Sequence, residues 1–179
     1  PTAAAIAYGC TQEIAAGKPR RILVFDLGGG TFDISVLQVE GSSFRVLATS
    51  GDAHLGGEDF DISIVRWLTR QFETTVGNGI KLSENAVAQR RLKKIAEETK
   101  VILSSSSAHD IEVNNLADGI DFDVQLTRAK FEQLCQKQFQ QGIPPLAVAL
   151  KQAKLVQNDI DDVVLIGGSS RIPAIRRIV

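Results

Sequence analysis

The chain lacks the features that would commit it to a membrane, a disulfide framework or a nucleic acid. No apolar run approaches the roughly 18 residues of a membrane-spanning helix. The two cysteines, Cys10 and Cys135, form no CxxC pair, so we expect reduced thiols in a cytosol-like compartment, not a disulfide or a zinc site. A formal net charge of −1 excludes a strong overall attraction to nucleic acid or membrane. Methionine is absent, and we expect the chain to be a piece of a longer protein.

What is present is the composition of an ordinary globular protein. The chain has 179 residues, of which 44% are apolar and 23% charged, and it is long enough to bury a substantial core. Apolar runs or alternation over 22–26, 32–39 and 44–50 predict three strands joined by tight turns. Helical spacing of apolar residues then predicts a helix over 58–76, which the GNG at 77–79 ends.

The second half of the chain mixes helices with one hairpin. Ser83 is predicted to cap a long helix that reaches about Leu103. The LADG stretch at 116–119 separates two alternating runs and predicts a hairpin turn. Thr127 is predicted to cap a helix through about Gln140.

The end of the chain returns to strand and helix signals. GIPP at 142–145 interrupts the helical pattern, which then continues to about Leu155. DDVVLIGG at 161–168 predicts a buried strand that ends in glycines, and Pro173 suits the start of the last helix. The order of elements indicates an α/β chain in which residues 56–135 are an inserted subdomain.

The first candidate site is the stretch DLGGGTFD, which places three glycines between two acids. If the flanking strands pair, Gly28, Gly29 and Gly30 lie at the hairpin tip, where their N–H groups can surround a phosphate. The acids Asp26 and Asp33 then make sense beside a phosphate only with a cation between them, and Mg²⁺ prefers such oxygen ligands. A glycine-rich turn with two solvated acids is the open alternative.

Two further glycine pairs favour the phosphate interpretation. Gly56 and Gly57 stand at the start of a predicted helix, whose free N–H groups suit an anion. Gly167 and Gly168 follow a buried strand, the usual ligand position in α/β sheets. The sequence contains no P-loop pattern and no complete Rossmann fingerprint.

A polar stripe on the long helix is the second candidate site. Glu97, Lys100 and Ser104 recur at helical spacing on the side away from the apolar stripe. A solvated helix face explains such a stripe. That is the default interpretation, and a face that hydrogen-bonds the ribose and base of a nucleotide is the sharper alternative, which stays open on these residues alone.

Five segments follow in order along essentially the whole chain: FDLGGGTFDISVL, GDAHLGGEDFD, RRLKKIAEETKVILSSS, GIDFDVQLTRAKFE and VVLIGGSSRIPAI. Together they resemble the ATPase domain of the seventy-kilodalton heat-shock chaperone family, and the opening PTAAAIAYG also matches. The resemblance implies an α/β, actin-like (ribonuclease H-like) ATPase fold, of which this chain would be the second lobe, with a mixed sheet. Residues 1–55 and 136–179 would form its inner subdomain, and residues 56–135 an inserted outer α+β subdomain.

The same resemblance implies roles for individual residues around a nucleotide. Asp26, Thr31 and Asp33 would be catalytic, and the two aspartates would hold Mg²⁺ through its water shell. The residues implied to bind ATP or ADP are Gly28, Gly29, Gly30, Thr31, Gly57, Glu58, Glu97, Lys100, Val101, Ser104, Gly167, Gly168, Ser169, Arg171 and Ile172. Many members have an arginine at the position of Val101, so this chain forfeits a cation–π contact worth about 0.5–2 kcal/mol.

The resemblance also implies a function and a set of partners. The parent would be a cytoplasmic ATP-dependent chaperone (an organellar matrix is the other location) that works with a J-domain co-chaperone, a nucleotide exchange factor and unfolded client polypeptides. We expect the chain alone to be inactive as an ATPase, because the groups of the first lobe are missing. No nucleic-acid or membrane partner is expected. Two alternatives stay open: a small-molecule kinase of the same superfamily, and a nucleotide-binding co-chaperone that does not hydrolyse ATP.

Overall fold

The computed structural model describes residue 3, residues 19–41 and residues 43–179. Cys10 and most of the PTAAAIAYG stretch lie outside the described residues. The strands are β1 (Arg20–Leu27), β2 (Phe32–Glu40), β3 (Ser43–Asp52), β4 (Ala108–Ala117), β5 (Ile120–Thr127) and β6 (Asp162–Ile166). The α-helices are α1 (Gly57–Thr75), α2 (Ala86–Ser105), α3 (Arg128–Leu134), α4 (Gln136–Gln141), α5 (Ile143–Ala153) and α6 (Pro173–Arg176).

A four-stranded mixed sheet carries the first candidate site. Its strand order is β3-β2-β1-β6, with antiparallel pairing of β1 to β2 and of β2 to β3, and parallel pairing of β1 to β6. Strand β1 has neighbours on both sides, and its apolar run from Ile22 to Phe25 is buried throughout, as expected for a strand covered on both faces. The three predicted strands are therefore confirmed, and the last predicted run does form a strand, β6. The prediction that this strand is buried is wrong: β6 lies at the edge of the described sheet, its residues are half-buried, and Val163 is 45% exposed.

The end of the β1–β2 hairpin is anchored by aromatic packing. The ring centroids of Phe25 and Phe32 lie 4.6 Å apart, and both side chains are 1% exposed. Aromatic pairs at this distance add to the apolar area that they bury. The turn between the two strands consequently projects from a fixed base.

The predicted hairpin around LADG is also confirmed. Strands β4 and β5 pair antiparallel as a separate two-stranded sheet. Asp118 and Gly119 have φ values of 51° and 80°, the left-handed geometry of a two-residue hairpin turn. The ring of Phe122 on β5 packs edge-on against Phe72 of α1 at 5.6 Å, so the hairpin and helix α1 share a core.

The chain divides into two compact units. One comprises the described residues up to Gly57 together with Gln138–Val179, and the other comprises Glu58–Lys137. The four-stranded sheet belongs to the first unit, and α1 after Gly57, α2, the β4–β5 hairpin and α3 belong to the second. The identification of these units as the inner and outer subdomains of a lobe stays a prediction.

The prediction that Ser83 caps the long helix is wrong. Helix α2 begins after Asn85, whose side-chain oxygen accepts hydrogen bonds from the backbone N–H groups of Val87 and Ala88 at 3.1 and 3.0 Å. Ser83 lies instead in a short 3-10 helix, Leu82–Glu84, whose first side chain is fully buried. The buried Leu82 therefore fixes this turn outside the helix, and the next capping residue along the chain begins α2.

The helix predicted from Thr127 to Gln140 is interrupted. Thr127 does cap α3, since its hydroxyl accepts from the backbone N–H of Lys130 at 3.2 Å. Cys135 then leaves helical geometry, with φ −101° and ψ 9°, and α4 follows as a second short helix. The side chain of Cys135, at the break, is fully buried.

Candidate functional site

The glycine turn lies at the tip of the β1–β2 hairpin, as predicted. The backbone N–H of Gly28 donates to the carbonyl of Thr31 at 3.0 Å and closes the turn. Asp26 and Asp33 are directly opposite each other in the antiparallel register. Directly opposite residues project from the same face of a sheet, so the two carboxyl groups share one face beside the turn.

The carbonyl oxygen of Gly28 joins the three glycine elements that the sequence predicts separately. It accepts a hydrogen bond from the backbone N–H of Gly57, at the start of α1, at 2.9 Å. It also accepts one from the hydroxyl of Ser169, after β6, at 3.0 Å. The structure therefore brings Gly28, Gly57 and the loop at 167–169 together, which sequence spacing alone could not establish.

Two glycines of this region are required by the packing of the protein itself. A Cβ on Gly56 would lie 2.5 Å from the carbonyl oxygen of Gly29 and from the backbone N of Gly30. Gly167 has φ +82°, and a Cβ there would overlap the carbonyl of Leu27. Close approach and left-handed backbone geometry exclude a side chain at these two positions.

The glycines of the turn have no such requirement. A Cβ on Gly29 or on Gly30 would meet nothing within 4 Å, and one on Gly28 would make only an ordinary 3.6 Å contact. None of the three has a φ in the left-handed region. Gly29, Gly30 and Thr31 are exposed. Neither the conformation nor the packing of the described residues therefore explains why side chains are missing at this turn.

The loop after β6 combines buried and exposed positions. Ser169 and Ile172 are 5% and 1% exposed, whereas Gly168 and Arg171 are exposed. The hydroxyl of Ser169 donates to the carbonyl of Gly28 and so contacts the glycine turn. Because the side chain of Ile172 is buried, only the backbone of this residue could contact a ligand. Arg171 is thus the side chain of this loop that is open to a ligand.

The predicted polar stripe of α2 is not a uniform solvated face. Glu97 and Val101 are exposed, the latter by 64%, but the side chain of Lys100 is only 13% exposed. Its ammonium lies 2.7 Å from a carboxylate oxygen of Asp61 on α1. The hydroxyl of Ser104 donates to the carbonyl of Lys100 at 3.1 Å. Glu58 is exposed and lies 3.7 Å from the ammonium of Lys93.

Asp61 is the residue that sequence reasoning missed. It is 4% exposed, and burial raises the pKa of its carboxyl group, while the hydrogen bond from Lys100 acts against that rise. The signal was present in the sequence, because Asp61 stands three and seven residues before Ile64 and Leu68 and so falls on the apolar stripe of α1. A charged residue on a buried helix face indicates that another side chain pairs with its charge.

Cys135 lies near this pair and behaves as a structural thiol. It is fully buried, and burial raises its pKa to about 12. A thiol with such a pKa has almost no thiolate at neutral pH and is unreactive. The described residues contain no group of three or more His, Cys, Asp or Glu side chains that could hold a metal ion directly.

A family model described as Hsp70 protein matches residues 1–179. The chain belongs to the Hsp70 family. The ATPase domain of that family has the actin-like fold, and the mixed sheet with its second two-stranded sheet agrees with it, so the predicted fold class is confirmed.

Curated relatives of this family match the whole chain. It is 45% identical to heat shock cognate 70 kDa protein 3 of Dictyostelium discoideum and 46% identical to a heat shock 70 kDa protein of Emericella nidulans. It is 45% identical to a ribosome-associated molecular chaperone of Saccharomyces cerevisiae. The matches cover 100% of this chain but 28%, 27% and 29% of those relatives. Nothing in these names favours the kinase or the non-hydrolysing alternative.

Membrane insertion by a helix has no support in the described part of the chain. None of its helices combines the length and the apolar character that crossing a bilayer requires.

Proposed function

We propose that the chain is part of the nucleotide-binding domain of an ATP-dependent molecular chaperone, and that the turn Gly28–Thr31 binds the phosphates of ATP or ADP. The observation that carries the proposal is the unexplained absence of side chains at Gly29 and Gly30. A phosphate that approaches backbone N–H groups closely needs the space that a Cβ would fill. Membership of the Hsp70 family supports the choice of nucleotide.

Asp26 and Asp33 fit a hydrated magnesium ion. Two carboxylates on one face of the hairpin, beside an exposed turn, offer the oxygen ligands that Mg²⁺ takes while it keeps several waters. When bound, the ion would neutralise phosphate charge and stabilise the charge that develops on phosphoryl transfer. Asp26 and Asp33 would orient water molecules of its shell, and Thr31 would add a hydroxyl donor to the phosphate turn.

The remaining site residues are proposed to bind the adenosine. On α2 these are Glu97, Lys100, Val101 and Ser104. At the start of α1 they are Gly57 and Glu58. After β6 the corresponding residues are Gly167, Gly168, Ser169, Arg171 and Ile172. Arg171 is exposed and suits stacking on a base, whereas Ser169 and Ile172 act by shaping the loop.

The activity of the whole protein is proposed by extension. The parent would hydrolyse ATP by attack of water on the γ-phosphate, and hydrolysis would switch a peptide-binding domain between states. Its partners would be a J-domain co-chaperone, a nucleotide exchange factor and unfolded polypeptides, in the cytoplasm.

Gly29→Ala tests the phosphate turn. The added Cβ meets nothing within 4 Å, so the variant is expected to fold with unchanged stability. In the full-length protein it should weaken binding of ATP and ADP at least tenfold and leave adenosine binding within about twofold, measured by titration calorimetry with Mg²⁺ present. Equal losses for all three ligands would assign the turn a purely structural role.

A further inference from the structure

Asp61 and Lys100 form a deeply buried ion pair. The side chains are 6% and 13% exposed, and Nζ of Lys100 lies 2.7 Å from Oδ2 of Asp61. A hydrogen bond between two charged groups at this distance is short and directional. The other charge pairs of α2 differ: Lys93 with Glu58 and Lys94 with Glu98 lie 3.7 and 3.8 Å apart, and all four side chains are more than half exposed.

Stability alone explains this pair poorly. Burying an ion pair removes water from both charges, and this desolvation cost offsets much of the attraction between them. Apolar side chains of similar volume can often replace such a pair without loss of stability. The second oxygen of Asp61, Oδ1, is buried and has no hydrogen-bond partner among the described residues. An acceptor left in that state is unfavourable, so the pair carries a cost that a purely structural contact would avoid.

The pair has a clear geometric effect. A lysine side chain has four rotatable carbon–carbon bonds and an ammonium that is normally mobile in water. Asp61 is fixed in the core on α1 between the apolar residues Phe60 and Ile64, both fully buried. Its carboxylate therefore holds the ammonium of Lys100 at one place on α2. An ammonium has three N–H donors, so this contact is compatible with a further hydrogen bond to a ligand hydroxyl.

We propose that Asp61 is a positioning residue, which orders the ammonium of Lys100 before a nucleoside binds. The inference rests on the proposed function, in which Lys100 contacts the ribose hydroxyls of the nucleotide. A lysine that is already ordered loses less rotational freedom on binding than a mobile one, and the affinity for the nucleoside rises accordingly. Asp61 itself touches no ligand in this arrangement, because it is almost completely buried.

A double-mutant cycle in the full-length protein tests the role. The variants are Asp61→Asn, Lys100→Met and their combination, and the ligand is adenosine, measured by titration calorimetry. Asp61→Asn is expected to weaken adenosine binding about tenfold, the effect of immobilising one long side chain. Lys100→Met is expected to weaken it at least as much. In the Lys100→Met background, Asp61→Asn should have no further effect.

Three results overturn the proposal. Equal losses from Asp61→Asn in both backgrounds would show that Asp61 does not act through Lys100. Normal adenosine binding by the Lys100→Met variant would show that Lys100 does not contact the ligand, and the proposed nucleotide-binding function would remain. Failure of the unsubstituted protein to bind adenosine would overturn the proposed function itself. Glu98→Gln, which breaks the exposed pair with Lys94 on the same helix, is the matched control and should leave adenosine affinity unchanged.

A second measurement does not depend on whether Asp61→Asn folds. The ¹⁵N signal of the Lys100 ammonium, assigned by its loss in Lys100→Met, should be sharp and slow to exchange with water in the ligand-free protein. It should be at least tenfold slower to exchange than the ammonium of Lys94, whose side chain is 80% exposed. Equal exchange rates for the two lysines would show that Lys100 is not ordered in advance and would overturn the proposal.

Discussion

Glycine is required at position 56 for a reason that does not apply at position 29. A Cβ on Gly56 would approach the backbone of Gly29 and Gly30 to 2.5 Å, whereas a Cβ on Gly29 would stand in open space. Overpacking of this kind shifts backbone and costs roughly 1–3 kcal/mol. We therefore predict that Gly56→Ala lowers the free energy of unfolding by that amount in urea denaturation, while Gly29→Ala stays within about 0.5 kcal/mol of the unsubstituted protein. Similar stabilities for both variants would contradict the observed packing.

Asp61 gives the stability of the protein a pH dependence of unusual sign for a carboxylate. Burial raises its folded pKa above the ordinary value of 3.8, so the folded state holds the proton more tightly than the unfolded state. The contribution of Asp61 to the free energy of unfolding is therefore largest below pH 3.8. It falls as pH rises through the raised pKa and is constant at higher pH. The charged groups that act on it are Lys100, which opposes the rise, Glu97, which adds to it, and Lys93, which opposes it.

The prediction is a difference between two proteins. The free energy of unfolding of the unsubstituted chain minus that of Asp61→Asn should decrease as pH rises from about 3.5 to 7, because the other carboxylates cancel in the difference. Urea denaturation at several pH values measures it. A difference that increases with pH would mean that the Lys100 contact outweighs burial and lowers the pKa instead.

At the scale of single elements, the start of α2 tests how capping is decided. Asn85 accepts two backbone hydrogen bonds and Ser83 caps nothing. Asn85→Ala is predicted to lower the free energy of unfolding by about 1 kcal/mol, and Ser83→Ala by less than about 0.5 kcal/mol, as measured by thermal or urea denaturation. The reverse ranking would show that the helix begins two residues earlier in solution.

Elements whose signals are local could be predicted from the sequence. Alternation and turn residues sufficed for the β1–β2–β3 meander and for the hairpin at Asp118–Gly119, since both are set by neighbouring residues. The cap of α2 could not be decided, because Ser83 and Asn85 are both good caps and the burial of Leu82, a tertiary effect, selects between them. The break at Cys135 was not predicted either, and the side chain at this position is likewise fully buried.

The candidate site divides in the same way. The glycines of the turn and the stripe on α2 were visible as patterns. Their partners were not: the hydrogen bond from Ser169 to Gly28 joins residues 141 positions apart, and that from Lys100 to Asp61 joins residues 39 apart. Pairings over such distances follow from the packing of the whole chain, and only the position of Asp61 on an apolar helix face hinted at one of them.

At the scale of the whole molecule, the chain spans less than a third of the length of the three relatives named above. Under the proposed function, it holds Asp26, Asp33 and the phosphate turn but not the groups that the family resemblance assigns to the first lobe. We predict negligible ATP hydrolysis by residues 1–179 alone, measured in single-turnover assays with radiolabelled ATP. Hydrolysis at the rate of an intact ATPase domain, abolished by Asp26→Ala, would contradict the assignment of the missing groups to another part of the protein.

The contacts of the Gly28 carbonyl differ in sequence separation, and we expect them to form in a corresponding order during folding. Strands β1 and β2 are joined by four residues and can pair as soon as both exist, on the microsecond scale typical of hairpins. The hydrogen bond from Ser169 closes a far longer loop, and β6 reaches β1 only across the same separation. During synthesis, the hairpin and the contact of Gly28 with Gly57 can therefore form while more than a hundred residues are still to be added, whereas the contact with Ser169 forms only after β6 has been made. The contacts around the Gly28 carbonyl are thus completed late. Under the proposed function, competence to hold a ligand at the turn would report that this part of the chain has finished folding.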